Sequence, residues 1–312
     1  MFENVKKNFG FGCMRLPMNG GEVDYCEFNK MIDAFFESGF NYFDTAHGYL
    51  GGKSEIAIGK CLSARYPRDK FILTDKLTNV YFKSEEDIEP LFESQLKTCG
   101  VEYFDFYLMH AQSREIYAHF KKCRAYEKAF EFKKQGRVKH VGISFHDTAE
   151  VLEQILTEYP QIEAVQIQLN YIDFDNPAVQ SRKCLEVCKK FGKPAIVMEP
   201  VKGGNLVNLP AEAQKYLTDL NGGSNASYAI RFAAGLFVKC GIIAVYAKVL
   251  SKSGKEFLEK HGVYYEYETL TNNIINRDGT DICPMEKAVG NLDDPEEMHR
   301  AIAVKIAELK KN

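Results

Sequence analysis

The feature that most constrains the fold is a regular alternation of short apolar runs with amphipathic stretches. The runs read as strands that are buried on both faces. Between them, apolar residues such as Phe28, Ile32 and Phe35 recur at helical spacing. Strands that alternate with helices form a parallel sheet, either a closed barrel or a doubly wound open sheet. The predicted strands are 9–14, 40–43, 71–75, 104–109, 138–144, 164–169, 194–198 and 242–249.

Two missing phosphate-binding fingerprints favour the barrel. An open dinucleotide-binding sheet carries GxGxxG after its first strand, but Gly10-Phe11-Gly12 has no third glycine. Gly254-Lys255 is followed by Glu256, so it is not a P-loop. A barrel needs about 250 residues plus insertions, which suits 312 residues. We therefore predict an α/β fold: a (β/α)8 TIM barrel over residues 1–263, with a C-terminal helical appendage docked on it over 264–312, including a final helix over 294–310.

The composition argues against several classes of partner. Net charge is −3, so no basic field favours nucleic acid or an anionic membrane. No run approaches membrane-spanning length, and no apolar signal region follows Lys6-Lys7. The nine cysteines contain no CxxC pair, which fits a reducing compartment. We expect a soluble, cytoplasmic protein without a bound metal, and the sequence leaves its oligomeric state open.

Polar side chains end three successive predicted strands. Asp44 follows the strand 40–43, and Tyr49 lies in the loop beyond it. Lys76 ends the next strand and His110 ends the third. In a parallel barrel the C-terminal ends of all strands face one side, where active sites are built. We predict that these four residues form one catalytic site.

The four residue types suit the reduction of a carbonyl group. A free tyrosine has a pKa of about 10 and is a poor acid at neutral pH. A nearby lysine ammonium lowers the pKa of the phenol, and an aspartate keeps that lysine charged and oriented. A histidine can orient the carbonyl oxygen while the phenol protonates it. Since none of these groups supplies electrons, a hydride must come from a bound cofactor.

These motifs resemble the aldo-keto reductases. The similarity runs from about Gly10 to Leu236 and includes Phe43-Asp44-Thr45-Ala46 with Tyr49 and Ser54-Glu55, Lys76, Leu108-Met109-His110, and Glu199-Pro200-Val201-Lys202-Gly203-Gly204. The resemblance implies a (β/α)8 barrel that binds NADPH, with NADH as the alternative, in extended form. It implies Tyr49 as the general acid in the reduction of an aldehyde or ketone, aided by Lys76, Asp44 and His110.

The resemblance also implies which residues bind the cofactor. Ser144 and Gln166 would hold the nicotinamide amide, and the loop Val201 to Gly204 would wrap the pyrophosphate. Met198 falls where most members place an aromatic ring against the nicotinamide. The implied cofactor set is Met14, Arg15, Asp44, Ser144, Gln166, Met198, Pro200, Val201, Lys202, Gly203 and Gly204.

Within this family the chain is most similar to a bacterial subgroup, through residues 11–17 and 144–147. Many of those proteins carry a C-terminal ferredoxin-like segment with an iron–sulfur cluster. Here Cys283 is preceded by Gly279, Asn276 and Asn273, where the spacing C-x2-C-x2-C-x3-C requires cysteines. We therefore expect no four-cysteine cluster there and no such segment in this sequence.

Two other functions stay open at this point. A barrel with an altered C-terminal third could be a non-catalytic sensor or partner subunit that binds a nicotinamide cofactor. A different barrel enzyme, an isomerase or lyase, could use Lys76 as a Schiff base. We predict an NAD(P)-dependent oxidoreductase acting on a small-molecule carbonyl substrate. The substrate's identity does not follow from the sequence, because the loops that would select it, chiefly 111–124 and the C-terminal segment, show no readable pattern.

Overall fold

The structure is a computed structural model that describes residues 2–220, 224–239, 244–260, 264–275, 280–289, 292, 297, 300–301 and 304–305. The contacts divide the chain into two compact units, Met1–Ala233 and Ala234–Asn312. The domain bounds expected from the sequence, and the docking of 264–312, stay predictions.

The first unit is built on a parallel sheet. In chain order its strands are β1 (Gly10–Gly12), β2 (Met18–Asn19), β3 (Glu22–Val23), β4 (Tyr42–Asp44), β5 (Ile72–Leu77), β6 (Phe104–Gln112), β7 (Val138–Phe145), β8 (Ala164–Gln168) and β9 (Ala195–Met198). Seven of them pair in the order β1-β4-β5-β6-β7-β8-β9, every pair parallel. The short strands β2 and β3 form a separate antiparallel ribbon. The alternating α/β pattern that the sequence predicts is confirmed.

Helices separate these strands from β3 onward, and further helices follow β9. They are α1 (Tyr25–Glu37), α2 (Lys53–Ile58), α3 (Ile88–Cys99), α4 (Arg114–Lys122), α5 (Ala125–Lys134), α6 (Ala149–Glu158), α7 (Ser181–Lys190), α8 (Ala211–Leu220) and α9 (Asn225–Lys239). Helix α1 begins where the Asp24 side chain accepts a hydrogen bond from the backbone N–H of Glu27. It buries Phe28, Ile32 and Phe35, the apolar face expected from the sequence.

The sheet curls, so that side chains from distant strands pack together inside it. Tyr42, Ile72, Phe106, Leu108 and Ala164 form one buried cluster drawn from β4, β5, β6 and β8. Side chains on one face of a flat sheet do not converge in this way, whereas those inside a curled sheet do. The cluster is joined by Phe2 and Val5 from the N-terminal segment and by Ile196 from β9.

The sheet has two ends, which we call the mouth and the foot. The mouth is the end formed by the C-terminal ends of the strands and the loops that follow them, such as those after Asp44 and Lys76. The foot is the opposite end, where the strands begin, as at Asp105 and Lys139. The N-terminal segment anchors to Asn41, just before β4 begins, since the Asn41 side chain bonds to the backbone of both Asn4 and Lys6.

The second unit contains β10 (Ala244–Ser251), α10 (Lys252–Lys260), β11 (Tyr264–Thr271) and α11 (Pro284–Val289). Strand β10 covers most of the predicted eighth barrel strand, 242–249. It pairs in parallel with β11, and within the described residues its sheet holds no other strand. An eight-stranded closed barrel with a helical appendage therefore stays a prediction, and most of the predicted helix 294–310 lies outside the described residues.

Candidate active site

Six successive strands of the sheet each place one polar or thioether side chain at the mouth. Successive residues of a strand point to opposite faces, so residues two positions beyond an interior side chain also face the interior. Asp44 follows the interior Tyr42 by two positions, and His110 follows Leu108 in the same way. The six residues, from β4 to β9, are Asp44, Lys76, His110, Ser144, Gln166 and Met198. The strand-end pattern thus places residues from six strands on one interior face.

Lys76 is the centre of this group. Its side chain is fully buried, and its ammonium donates to Asp44 Oδ1 at 2.5 Å and to the Thr45 carbonyl oxygen at 2.8 Å. Burial by itself would lower the pKa of Lys76, but Asp44 and Tyr49 together raise it to about 12. The other oxygen of Asp44 accepts a hydrogen bond from Gln166 Nε2 at 2.9 Å. Lys76 is therefore a fixed ammonium at neutral pH.

Tyr49 reaches this ammonium from the loop after β4. Its hydroxyl oxygen accepts a hydrogen bond from Lys76 Nζ at 3.3 Å, and Nζ also lies 4.8 Å from the centre of its ring. The pKa of Tyr49 is raised above its ordinary value, chiefly by burial, which outweighs the opposing effect of Lys76. Lys76 does act to lower the pKa of this phenol, as expected, but the sequence does not show how deeply the ring is buried, and burial has the larger effect. Tyr49 consequently carries its proton at neutral pH.

His110 completes the predicted four. Its ring meets the Tyr49 ring edge-on, with the centroids 5.7 Å apart. Its Nδ1 lies 2.8 Å from the Thr78 hydroxyl oxygen, a partner that sequence reasoning missed. Burial, assisted by the charge of Lys76, lowers the pKa of His110 to about 3, so the imidazole is neutral. When Thr78 donates to Nδ1, the ring proton sits on Nε2 and can be donated to a carbonyl oxygen.

The side chains expected at a nicotinamide ring lie on neighbouring strands. Ser144 on β7 is directly opposite Gln166 on β8 in the sheet register. Both are buried, and the Ser144 hydroxyl oxygen accepts a long hydrogen bond, 3.4 Å, from the Ala111 backbone. Met198 ends β9 and is half-buried. These three residues are brought together on one side of Lys76, as the resemblance implies.

The residues expected at the pyrophosphate also meet at the mouth. The turn after β9, residues 199–204, has left-handed backbone angles at Glu199, Lys202, Gly203 and Gly204. A Cβ atom at Gly203 would lie 2.7 Å from Nη2 of Arg15, so this turn touches the loop after β1. Arg15 and the neighbouring Met14 are exposed, whereas Pro200 and Val201 are half-buried. The loops that follow β1 and β9, the first and last strands of the sheet, therefore adjoin each other at the mouth.

A second polar group lies behind Lys76, and sequence reasoning missed its role. The carboxylate of Glu55, on α2, is almost fully buried and lies 3.0 Å from Nδ1 of His47. Gln95, on α3, donates from Nε2 both to Glu55 and to the backbone oxygen of Lys76, at 3.2 and 3.1 Å. Glu55 therefore links the loop that carries Tyr49 to the strand that carries Lys76. Its presence in the family motif is the only sequence signal for this role.

Asp75 adds to that group a carboxyl that is entirely buried. Burial and the adjacent carboxylate of Glu55 raise the pKa of Asp75 well above its usual range. Asp75 points to the outer face of the sheet, toward α3, since it alternates with Lys76 along β5 and accepts a hydrogen bond from Cys99. It therefore supports the back of the site and does not face a substrate.

The described part of the chain offers neither a metal site nor a membrane span. Among these residues no group of three or more His, Cys, Asp or Glu side chains could hold a metal ion. No helix within the same ranges has the length and apolar character needed to cross a membrane. The predicted cytoplasmic location stays a prediction.

Comparison with family models gives two matches. The model of the aldo/keto reductase family matches residues 8–238. A model described as a domain of unknown function, DUF1893, matches residues 226–306. The second match covers most of the second compact unit and overlaps the first match only within α9.

Individual proteins show similarity of the same kind. The NADH-specific methylglyoxal reductase of Escherichia coli strain K12 is 24% identical over 196 residues, which are 56% of this chain and 57% of that protein. The chain thus spans little more than half the length of that relative. An aldo-keto reductase of Klebsiella pneumoniae in complex with NADPH shares 18% identity, with a TM-score of 0.52 over 70% of this chain and 74% of that one. The holo form of the Bacillus halodurans aldo-keto reductase AKR11C1 shares 20%, with a TM-score of 0.58 over 96% and 91%. At such identities the solved structures show the fold alone.

Proposed function

Because the chain belongs to the aldo/keto reductase family, we propose that it is an NAD(P)-dependent oxidoreductase that reduces a small aldehyde or ketone to an alcohol. The observation that carries this proposal is the buried Lys76 ammonium, which bonds at once to Asp44 and to the Tyr49 hydroxyl. NADPH is the proposed cofactor and NADH the alternative, since the neighbours include an NADPH complex and an NADH-specific enzyme.

The residues present fit such a cofactor. The Ser144 hydroxyl makes only one long contact among the described residues, so its proton is available to a carboxamide oxygen. The exposed turn at Gly203 and the guanidinium of Arg15 adjoin each other, as a diphosphate site requires. When bound, the cofactor supplies the hydride that no side chain can provide.

In the proposed mechanism Tyr49 is the proton donor. Its raised pKa keeps the proton on Oη until the substrate oxygen gains negative charge during reduction. The Lys76 ammonium then stabilises the phenolate, and Asp44 holds that ammonium in place. The neutral imidazole of His110, beside the Tyr49 ring, orients the carbonyl oxygen by donating a hydrogen bond.

The most direct test combines cofactor binding with a substitution of Tyr49. Titration of NADPH and NADH separately, followed by cofactor fluorescence, should show binding of at least one. Tyr49→Phe should lower turnover of carbonyl substrates about 10²- to 10⁴-fold, the usual contribution of a general acid, and leave the cofactor Kd unchanged. Tyr42→Phe is the matched control, because its hydroxyl accepts from Thr74 inside the sheet and, among the described residues, bonds to none at the mouth. Turnover retained by Tyr49→Phe would sink the mechanism.

A second function is a non-catalytic sensor that binds the same cofactor. The second compact unit favours it, because β10 pairs with β11 and the unit matches a different family model. Cofactor binding without turnover across a panel of aldehydes and ketones would support it. The Schiff-base alternative loses support, because a lysine whose pKa is raised to about 12 is a poor nucleophile at neutral pH.

A further inference from the structure

The turn after β9 is fastened by Asp173, a residue of the loop after β8. Asp173 is 1% exposed, and its two carboxylate oxygens each lie 2.6 Å from Nζ of Lys202. Oδ2 also accepts hydrogen bonds from Gln168 Nε2 at 2.6 Å and Asn170 Nδ2 at 2.7 Å. Burial would raise the pKa of Asp173, but these donors outweigh it and hold the pKa below its usual range. The carboxylate is therefore charged and fully bonded.

The same group holds a strained piece of backbone. Glu199 and Lys202 have φ angles of 54° and 49°, a left-handed backbone conformation that residues other than glycine rarely adopt. Such strain persists only when the surroundings over-determine it. Asn170 donates to the backbone oxygen of Glu199 at 3.2 Å, while Asp173 holds the side chain of Lys202. Both strained residues are thus tied to the loop after β8.

We infer that Asp173 is a positioning residue that shapes the turn 199–204 for the cofactor's diphosphate before the cofactor arrives. The inference rests on the proposed function, since it takes a nicotinamide dinucleotide as the ligand. A turn already in its bound shape loses less conformational freedom on binding, which strengthens affinity without a new contact.

The pairing also changes the role of Lys202. The Lys202 ammonium bonds to both oxygens of a buried carboxylate, so a phosphate would have to compete with Asp173 for it. Lys202 therefore connects Asp173 to the turn and does not itself bind phosphate. Arg15, which touches the turn at Gly203 and has no carboxylate partner among the described residues, is the cation left for the diphosphate.

The two roles of Lys202 predict opposite results for Asp173→Asn. If Asp173 positions the turn, Asp173→Asn raises the Kd for NADPH about tenfold, which corresponds to about 1.4 kcal/mol. If instead Asp173 competes with phosphate for Lys202, the substitution frees the ammonium and binding becomes tighter. Asp105→Asn is the matched control, since Asp105 is a buried carboxylate bound by Lys139 and Arg68 at the foot. It should lower the melting temperature and leave the Kd unchanged.

Lys202→Met supplies a second measurement, which decides the matter even where Asp173→Asn does not fold. If Lys202 only connects Asp173 to the turn, it makes no ionic contact with the ligand. Lys202→Met then weakens binding but keeps the wild-type dependence of Kd on salt. Arg15→Met weakens binding and flattens that dependence. The double variant Asp173→Asn/Lys202→Met should bind no more weakly than either single variant, because the two residues act as a unit.

The measured affinities either support or overturn the positioning role of Asp173. Tighter or unchanged binding by Asp173→Asn, or a flattened salt dependence in Lys202→Met, overturns that role while the proposed function stands. A wild-type chain that quenches the fluorescence of neither NADPH nor NADH overturns both. Weaker binding by Asp173→Asn, together with an unchanged Kd in Asp105→Asn, supports the positioning role.

Discussion

At the mouth of the sheet Lys76 pairs with Asp44, and at the foot Lys139 pairs with Asp105. The chemistry of the two pairs is the same, but their surroundings differ. Asp105 also accepts hydrogen bonds from Arg68 and from the backbone N–H of Leu73, so both of its oxygens are bonded within the foot. The foot pair has a structural role, because it binds neighbouring strands together.

The mouth pair, in contrast, leaves a group available for chemistry. The Lys76 ammonium extends past Asp44 to Tyr49, whose hydroxyl has this one hydrogen-bond partner among the described residues. In the proposed mechanism the hydroxyl proton of Tyr49 is therefore left to reach a substrate. A tyrosine also lies beside the foot lysine, since Lys139 Nζ is 4.1 Å from the centre of the Tyr103 ring, so what sets the mouth pair apart is burial: the Lys76 side chain is 0% exposed and that of Lys139 is 44% exposed. The positions of the two pairs agree with the rule that barrel chemistry occupies the C-terminal ends of strands, whereas the other face provides stability.

The largest effect should separate the two lysines directly. Lys76→Met removes the ammonium that stabilises the Tyr49 phenolate, so turnover should fall about 10²- to 10³-fold. Lys139→Met should leave turnover unchanged and lower the free energy of unfolding by about 1 kcal/mol or less, because Lys139 is 44% exposed. Steady-state rates and denaturant unfolding of both variants measure these changes. Comparable rate losses in the two variants would remove the distinction between mouth and foot.

An intermediate loss of kcat should distinguish two histidine–glutamate pairs, one at the mouth and one at the foot. Glu55 binds His47 at the mouth, and Glu163 binds His140 at the foot at 2.8 Å. Glu55→Gln puts an amide N–H against a donor and loosens the link between the Tyr49 loop and Lys76, so kcat should fall about tenfold. Glu163→Gln should lower stability by about 1–3 kcal/mol without changing kcat. A Glu55→Gln rate within a factor of about two of wild type would make the mouth pair as purely structural as the foot pair.

The sequence predicts the mouth better than it predicts what supports it. Asp44, Lys76 and His110 could be found because each ends an apolar run, and parallel strands bring their ends together. The same periodicity predicted the seven paired strands. These features are local in sequence, which is why a pattern along the chain reveals them.

The features that were not predicted depend on contacts between distant residues. Asp173 lies in the loop after β8 and binds Lys202 in the turn after β9. Nothing in the sequence around either residue indicates that the two form a pair. The direction of the Tyr49 pKa shift depends on burial, which only the assembled mouth determines. The pairing of β10 with β11 was not predicted for a related reason. An apolar run indicates a strand but does not show which strand it pairs with.

The smallest effect concerns pH and follows from His110. The pKa of this imidazole is lowered to about 3, so His110 does not change its charge between about pH 5 and 8, where an ordinary histidine titrates. With Tyr49 also protonated in this range, kcat should vary less than about twofold. A kcat profile and the NMR titration of the His110 ring protons measure this directly.

The same lowered pKa has a consequence for stability whose sign differs from that of a histidine that gains a carboxylate partner. The unfolded chain protonates His110 below its ordinary pKa of about 6.5, while the folded chain does not until about pH 3. Folding stability from this residue is therefore fully present above pH 6.5 and is lost as the pH falls toward 3. His110→Gln should remove that part of the acid sensitivity in denaturant unfolding at pH 4 and pH 7. An inflection of kcat near pH 6.5 that disappears in His110→Gln would show instead that the imidazole is charged at the mouth, and the proposed orienting role would fail.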